Sequence, residues 1–141
     1  KNNISLLREL DQSISIKFNY NKEDLLIKCD NEQISRVLFN LLKNSIESIQ
    51  EKFNKNGDFT KIIDIEIIDK NDYITLNITD NGTGFSNDII QKITKPYFTT
   101  KPKGSGLGLS IVNKIINDHN GSIKFSSNDN GAKVEIILPK N

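Results

Sequence analysis

The chain has 141 residues, 35% of them hydrophobic and 26% charged, with a formal net charge of +1. That length suits one domain with its own core and is too short for two of ordinary size. A near-neutral balance with scattered lysines excludes a strongly basic nucleic-acid surface and an acidic tail. Arg8 and Arg36 are the only arginines, and Ile, Asn and Lys are heavily used, a bias of AT-rich coding rather than of disorder. Cys29 is the single cysteine, so neither an internal disulfide nor a Cys/His zinc cluster can form, and a reducing compartment is the natural setting. No run approaches the roughly 18 to 20 apolar residues of a membrane span. The opening Lys1-Asn2-Asn3 has neither an apolar leader nor an initiator Met, so the chain is expected to be a fragment of a longer protein.

In chain order, residues 4–10 form a short amphipathic helix that could continue something upstream, residues 13–18 alternate polar and apolar as a strand does, and residues 24–29 are a second strand candidate. Asp30 with Gln33 three residues on makes a capping box. Behind it Ile34, Val37, Leu38, Leu41, Leu42, Ser45, Ile49 and Phe53 recur at helical spacing, which predicts a long core-facing helix over about 30–53. Ile63, Ile65 and Ile67, then Ile74, Leu76 and Ile78, alternate with polar residues around a turn at 69–72, the pattern of an antiparallel hairpin. Regularity then dissolves from Asp80 to Gly108, a length of loop that is usually functional or disordered. A second helix is expected over about 108–119, with Leu109, Val112, Ile115 and Ile116 inward and Asn120-Gly121 as a left-handed stop. Strands at 122–127 and 133–138 flank an Asn130-Gly131 turn. The sum is an α/β (α+β) two-layer sandwich: a mixed, mostly antiparallel sheet with helices gathered on one face.

Four stretches carry chemistry. On the long helix Asn40, Asn44 and Glu47 share a narrow stripe turned away from the apolar face. Such a stripe is either a solvated face or, because asparagine is a middling helix former, a set of neutral oxygens for Mg²⁺ and phosphate. Asp80-Asn81-Gly82-Thr83-Gly84 follows a strand. It reads either as a plain turn or as a place where backbone approaches a flat ring while Asp80 accepts from an exocyclic amine. Pro96-Tyr97-Phe98-Thr99-Thr100-Lys101 leads into Gly104-Ser105-Gly106-Leu107-Gly108-Leu109. Alternating glycines entering a helix N-terminus make either a flexible linker or a phosphate site of unpaired N–H groups, with Lys101 and Lys103 adding charge. Neither GxxxxGK[ST] nor GxGxxG is present.

Taken together and in this order, the four stretches resemble the N, G1, F and G2 boxes of the histidine-kinase catalytic and ATP-binding domain, within the superfamily of gyrase, Hsp90, histidine kinases and MutL. The resemblance covers about residues 24–139 and is greatest to the nitrogen-regulation sensors of the NtrY and NtrB kind, NtrY more than NtrB. It implies the Bergerat ATP-binding fold, ATP and Mg²⁺ as ligands, and a division into a connecting helix at 1–12 and a catalytic domain at 13–141 with a mobile lid at about 94–107.

By that resemblance Asn44 is the Mg²⁺ ligand, Asn40 lies beside the phosphates, and Lys43 and Glu47 stand close by in the catalytic group, Glu47 as an outer residue of the metal. Asp80 binds the adenine amine while Gly82 and Gly84 let backbone pass under the base. Phe98, Thr99, Thr100 and Lys101 belong to the lid, Lys101 within reach of a phosphate. Gly104, Gly106 and Gly108 let the lid close, and Ser105, Leu107 and the neighbouring amides hold phosphate. The ATP-hydrolysing members carry a glutamate as general base where Asn40 stands, and an amide cannot take that proton. The expected activity is therefore transfer of the γ-phosphoryl to a histidine on a separate dimerisation domain, and from there to an aspartate on a response-regulator receiver domain. His119, the only histidine, is expected to cap or pack at a helix end, not to accept phosphate. The domain is expected in the cytoplasm, as part of a homodimeric parent anchored in the inner membrane through a segment outside this chain. Three alternatives stay open: a gyrase- or MutL-type ATPase, an anti-sigma-factor-type serine kinase, and a degenerate interaction domain. Ser45, Ser48 and Ala132 are minor departures from the family pattern with no assigned role.

Overall fold

The computed structural model describes residues 14–20, 31–55, 57, 59–84, 108–128 and 131–139. Along them run β1 (Ser15–Tyr20), α1 (Asn31–Lys55), β2 (Ile62–Asp69), β3 (Tyr73–Asp80), α2 (Gly108–Asp118), β4 (Ser122–Asn128) and β5 (Gly131–Pro139). The predicted helix at 4–10, the strand at 24–29, the Asp30 cap, the connecting segment 1–12 and the lid at 94–107 lie outside the described residues.

The strands form one five-stranded sheet in the order β1-β2-β3-β5-β4. β1 pairs parallel with β2, and every other neighbouring pair is antiparallel. A parallel pair needs a crossover, and α1 lies on that connection. Alternation decides which face is covered. Ile63 and Ile65 of β2, Ile74, Leu76 and Ile78 of β3, and Val134, Ile136 and Leu138 of β5 are buried together with Val37, Leu41, Leu42, Ile46 and Ile49 of α1 and Val112, Ile115 and Ile116 of α2. Both helices thus pack on one face of the sheet, the expected two-layer arrangement. The side chain of Leu109, expected inward, is outside the described set. Ile46, absent from the predicted core stripe, is buried as deeply as Leu41; α1 is covered by α2 as well as by the sheet, so its apolar face is broader than one stripe.

Loop chemistry follows the residues. Between β2 and β3, Asn71 adopts φ 74° and its N–H donates to Asp69 Oδ1 at 2.9 Å, the local pairing that suits asparagine to a left-handed turn. At the C-terminal end of α1, Phe53 meets Phe59 edge-on with ring centroids 5.7 Å apart, and Lys61 Nζ lies 4.1 Å from the Phe53 centroid. At the end of α2 the N–H of Gly121 donates to the carbonyl of Ile116 at 2.9 Å and that of Asn120 to Asn117 at 3.0 Å, a Schellman closure. The left-handed residue is Asn120, φ 61°. Gly121 is needed for a different reason, since a Cβ there would stand 2.5 Å from the carbonyl oxygen of Ile137. His119 Nδ1 lies 2.8 Å from the carbonyl oxygen of Ile115, within its own last turn, so the ring serves the helix end as expected.

Candidate functional site

β3 is the middle strand, and its last residue, Asp80, brings a carboxylate to the inner face at the point where α1 crosses. The residue is 7% exposed. Its Oδ1 accepts the N–H of Gly82 at 2.8 Å, and the Ser45 hydroxyl and the Ala132 N–H donate to the same carboxylate. Burial pushes the carboxyl above the ordinary carboxylate range, while those three donors and the positive charge of Lys52 act against the shift. The result is a buried acceptor held in one orientation, the equipment for taking a hydrogen bond from a ligand N–H.

The loop that follows is gripped from three sides. Asn81 faces β2: its Oδ1 accepts the Ile62 N–H at 3.0 Å, its Nδ2 donates to the carbonyl of Thr60 at 2.5 Å, and its own carbonyl accepts from Lys52 Nζ at 3.3 Å. Gly82 presses on α1, where a Cβ would fall 2.4 Å from Ser48 Oγ and 2.8 Å from the backbone nitrogen of Ile49. Thr83 donates its N–H to Ser48 Oγ at 2.9 Å, and the two hydroxyls lie 2.9 Å apart. Gly84 adopts φ 75°, and a Cβ there would come within 3.1 Å of the carbonyl of Gly131. Gly131 in turn adopts φ 148°, and a Cβ on it would fall 2.0 Å from the carbonyl oxygen of Asp80. Expected only as a turn residue, Gly131 is also the start of β5 packed onto the end of β3.

On α1, Asn40, Asn44 and Glu47 are half-buried and Lys43 is exposed. Ser45 faces Asp80, so Asn44, one residue before it, points roughly 100° round the helix. Among the described residues no group of three or more His, Cys, Asp or Glu side chains comes together to hold a metal. The donors on the stripe are instead two amides and one carboxylate, hard oxygens of the kind Mg²⁺ accepts. Gly108 opens α2, so the glycine run does lead into a helix N-terminus. Phe98, Thr99, Thr100, Lys101, Gly104, Ser105, Gly106 and Leu107 lie outside the described residues. Ser45, Ser48 and Ala132, which the sequence reading left without a role, all prove to touch Asp80 or its loop.

A buried carboxylate thus stands at the end of the central strand, a glycine loop lies across α1, and a stripe of two asparagines and a glutamate runs along the same helix. The family model of histidine kinase-, DNA gyrase B- and HSP90-like ATPases matches residues 29–141. The chain belongs to this family. Within the histidine kinase-like ATPases it is similar to an NtrY-like sensor histidine kinase of Rickettsia conorii, 39% identical over 128 residues that make up 90% of this chain and 20% of that protein. It is also similar to the nucleotide-free catalytic domain of histidine kinase ThkA, with TM-score 0.85 and 32% identity over 99% of this chain and 88% of that one. The structure of ThkA in complex with the response regulator protein TrrA matches with TM-score 0.75 and 28% identity, over 99% of this chain and 40% of that one. The chain therefore has the histidine-kinase catalytic and ATP-binding fold, and spans about a fifth of the length of the Rickettsia relative. Among the described residues no helix is long and apolar enough to cross a membrane.

Proposed function

We propose that this chain is the ATP-binding catalytic domain of a two-component sensor histidine kinase, and that it directs the γ-phosphoryl of ATP to a histidine on a dimerisation domain of the same parent protein. The observation that carries the nucleotide reading is Asp80, a buried carboxylate whose three protein donors hold it ready to accept the adenine amine. Gly82 and Gly84 shape the loop beside the base. Asn44 would hold Mg²⁺, with Asn40 beside the phosphates and Lys43 and Glu47 near them. The metal, when bound, neutralises phosphate charge. By resemblance to the family, Leu107 and the amides beside it, with Ser105, would hold phosphate, Phe98, Thr99, Thr100 and Lys101 would belong to the lid, and Gly104, Gly106 and Gly108 would let that lid close over the triphosphate. An amide at Asn40 leaves no base there to activate water, which supports transfer over hydrolysis. The protein's part is to position donor and acceptor and to balance charge.

From the phosphohistidine the group passes to an aspartate of a response-regulator receiver domain, a partner supported by the ThkA–TrrA complex. The parent is a homodimer whose kinase portion is cytoplasmic and whose anchor lies in the inner membrane, a placement supported by its likeness to sensor kinases.

The test mixes this chain with the parent's dimerisation domain and γ-labelled ATP. The expected product is labelled dimerisation domain, with the label stable to base and lost in acid. Steady phosphate release by this chain alone, or an acid-stable phosphoserine, would overturn the reading.

A further inference from the structure

Ser45, Ser48 and Lys52 lie three and four residues apart on α1 and so share one face. Each touches a different part of the loop after β3: Ser45 the Asp80 carboxylate, Ser48 the N–H and hydroxyl of Thr83, Lys52 the carbonyl of Asn81. The two hydroxyl contacts of Ser48 span 35 positions of sequence, and they fasten the middle of the loop, where Gly82 has no side chain and sits against helix backbone. Gly82 is also the residue whose N–H orients Asp80 Oδ1. A displacement of Thr83 therefore moves the Gly82 amide, and with it the direction in which the carboxylate presents its open lone pairs.

We infer that Ser48 is a positioning residue for nucleobase selection: through its clasp on Thr83 it fixes the Gly82 amide and so aims Asp80 at the exocyclic amine of the purine. The inference rests on the proposed role of Asp80 as the base acceptor. Ser48 itself touches no base. Its effect falls on the discrimination between purines with and without the amine, and less on affinity for the triphosphate they share.

The experiment compares binding of ATP and of purine riboside triphosphate, which lacks only that amine, by calorimetry on the chain. A charge-assisted hydrogen bond gives wild type a preference of at least about tenfold for ATP. Ser48→Ala is expected to lower that preference to roughly threefold or less, Ser48→Thr to retain it, and Asp80→Asn to set the floor. Thr83→Val, at an exposed position, removes the hydroxyl pair with Ser48 and the 3.5 Å contact of the Thr83 hydroxyl with the Gly84 carbonyl while keeping the Thr83 N–H on Ser48, and is expected to lower the preference by a smaller factor. A uniform weakening of both nucleotides in Ser48→Ala with the wild-type ratio intact, or an unchanged ratio in Thr83→Val should Ser48→Ala not fold, overturns the positioning role. A wild-type ratio of one removes the base reading itself, and the positioning role with it.

Discussion

Asp80 is easier to protonate in the folded chain than in an unfolded one, because burial raises its pKa more than the Gly82, Ser45 and Ala132 donors and Lys52 lower it. A group whose pKa rises on folding stabilises the fold when protonated. That contribution is complete below the unfolded value, roughly 4 for an aspartate, and is lost as pH climbs through the raised folded value. Asparagine at this position does not titrate. Thermal melts at stepped pH should therefore show wild type gaining on Asp80→Asn as pH falls from 7 towards about 4, and parallel curves across that window would contradict the burial argument. At this scale Asp80 is legible only in company, because Asp-Asn-Gly alone is turn chemistry and it is the order of the four stretches that singles out the carboxylate. Ser45 and Ser48 were opaque for a definite reason. A helical repeat tells which residues share a face but not which distant loop lies over it, and small hydroxyls look the same on a solvated face as on a clasp.

The elements divide in the same way. α1, α2 and the β2–β3 hairpin were legible because each has a strict period, 3.6 or 2, and a local stop. The stop of α2 separates two functions that Asn120-Gly121 seemed to share. Asn120 takes the left-handed conformation, and Gly121 makes room for β5. Gly121→Ala should cost roughly 1–3 kcal/mol through overpacking against Ile137, whereas Asn120→Gly should stay within about 1 kcal/mol of wild type. Urea denaturation measures both, and a Gly121→Ala chain as stable as wild type would refute the packing account. Gly131 teaches a similar lesson: Asn-Gly before an alternating run reads as turn chemistry, yet its missing side chain also admits the carbonyl of Asp80. Close approach between elements distant in sequence leaves no local mark beyond the glycine itself.

At the scale of the whole molecule, the two-layer class followed from alternation, while the strand order β1-β2-β3-β5-β4 depends on long-range pairing that no local pattern encodes. Binding should be felt throughout this single core. A ligand at a hundred times its dissociation constant stabilises the folded state by about 2.7 kcal/mol, so the melting temperature should climb with Mg-ATP concentration in wild type and climb clearly less in Asp80→Asn, where a roughly tenfold weaker affinity leaves about half of that stabilisation. An equal rise in both chains would place the nucleotide elsewhere. One element spans the proposed site from end to end. Asn40 and Ser48 stand eight residues apart on α1, roughly 12 Å of helical rise, so the triphosphate side and the base side are set out along a single stiff rod. Tilting that rod carries both marks together and leaves their separation unchanged. In the proposed site α1 therefore fixes the distance between the base side and the triphosphate side, because both are read from one helix.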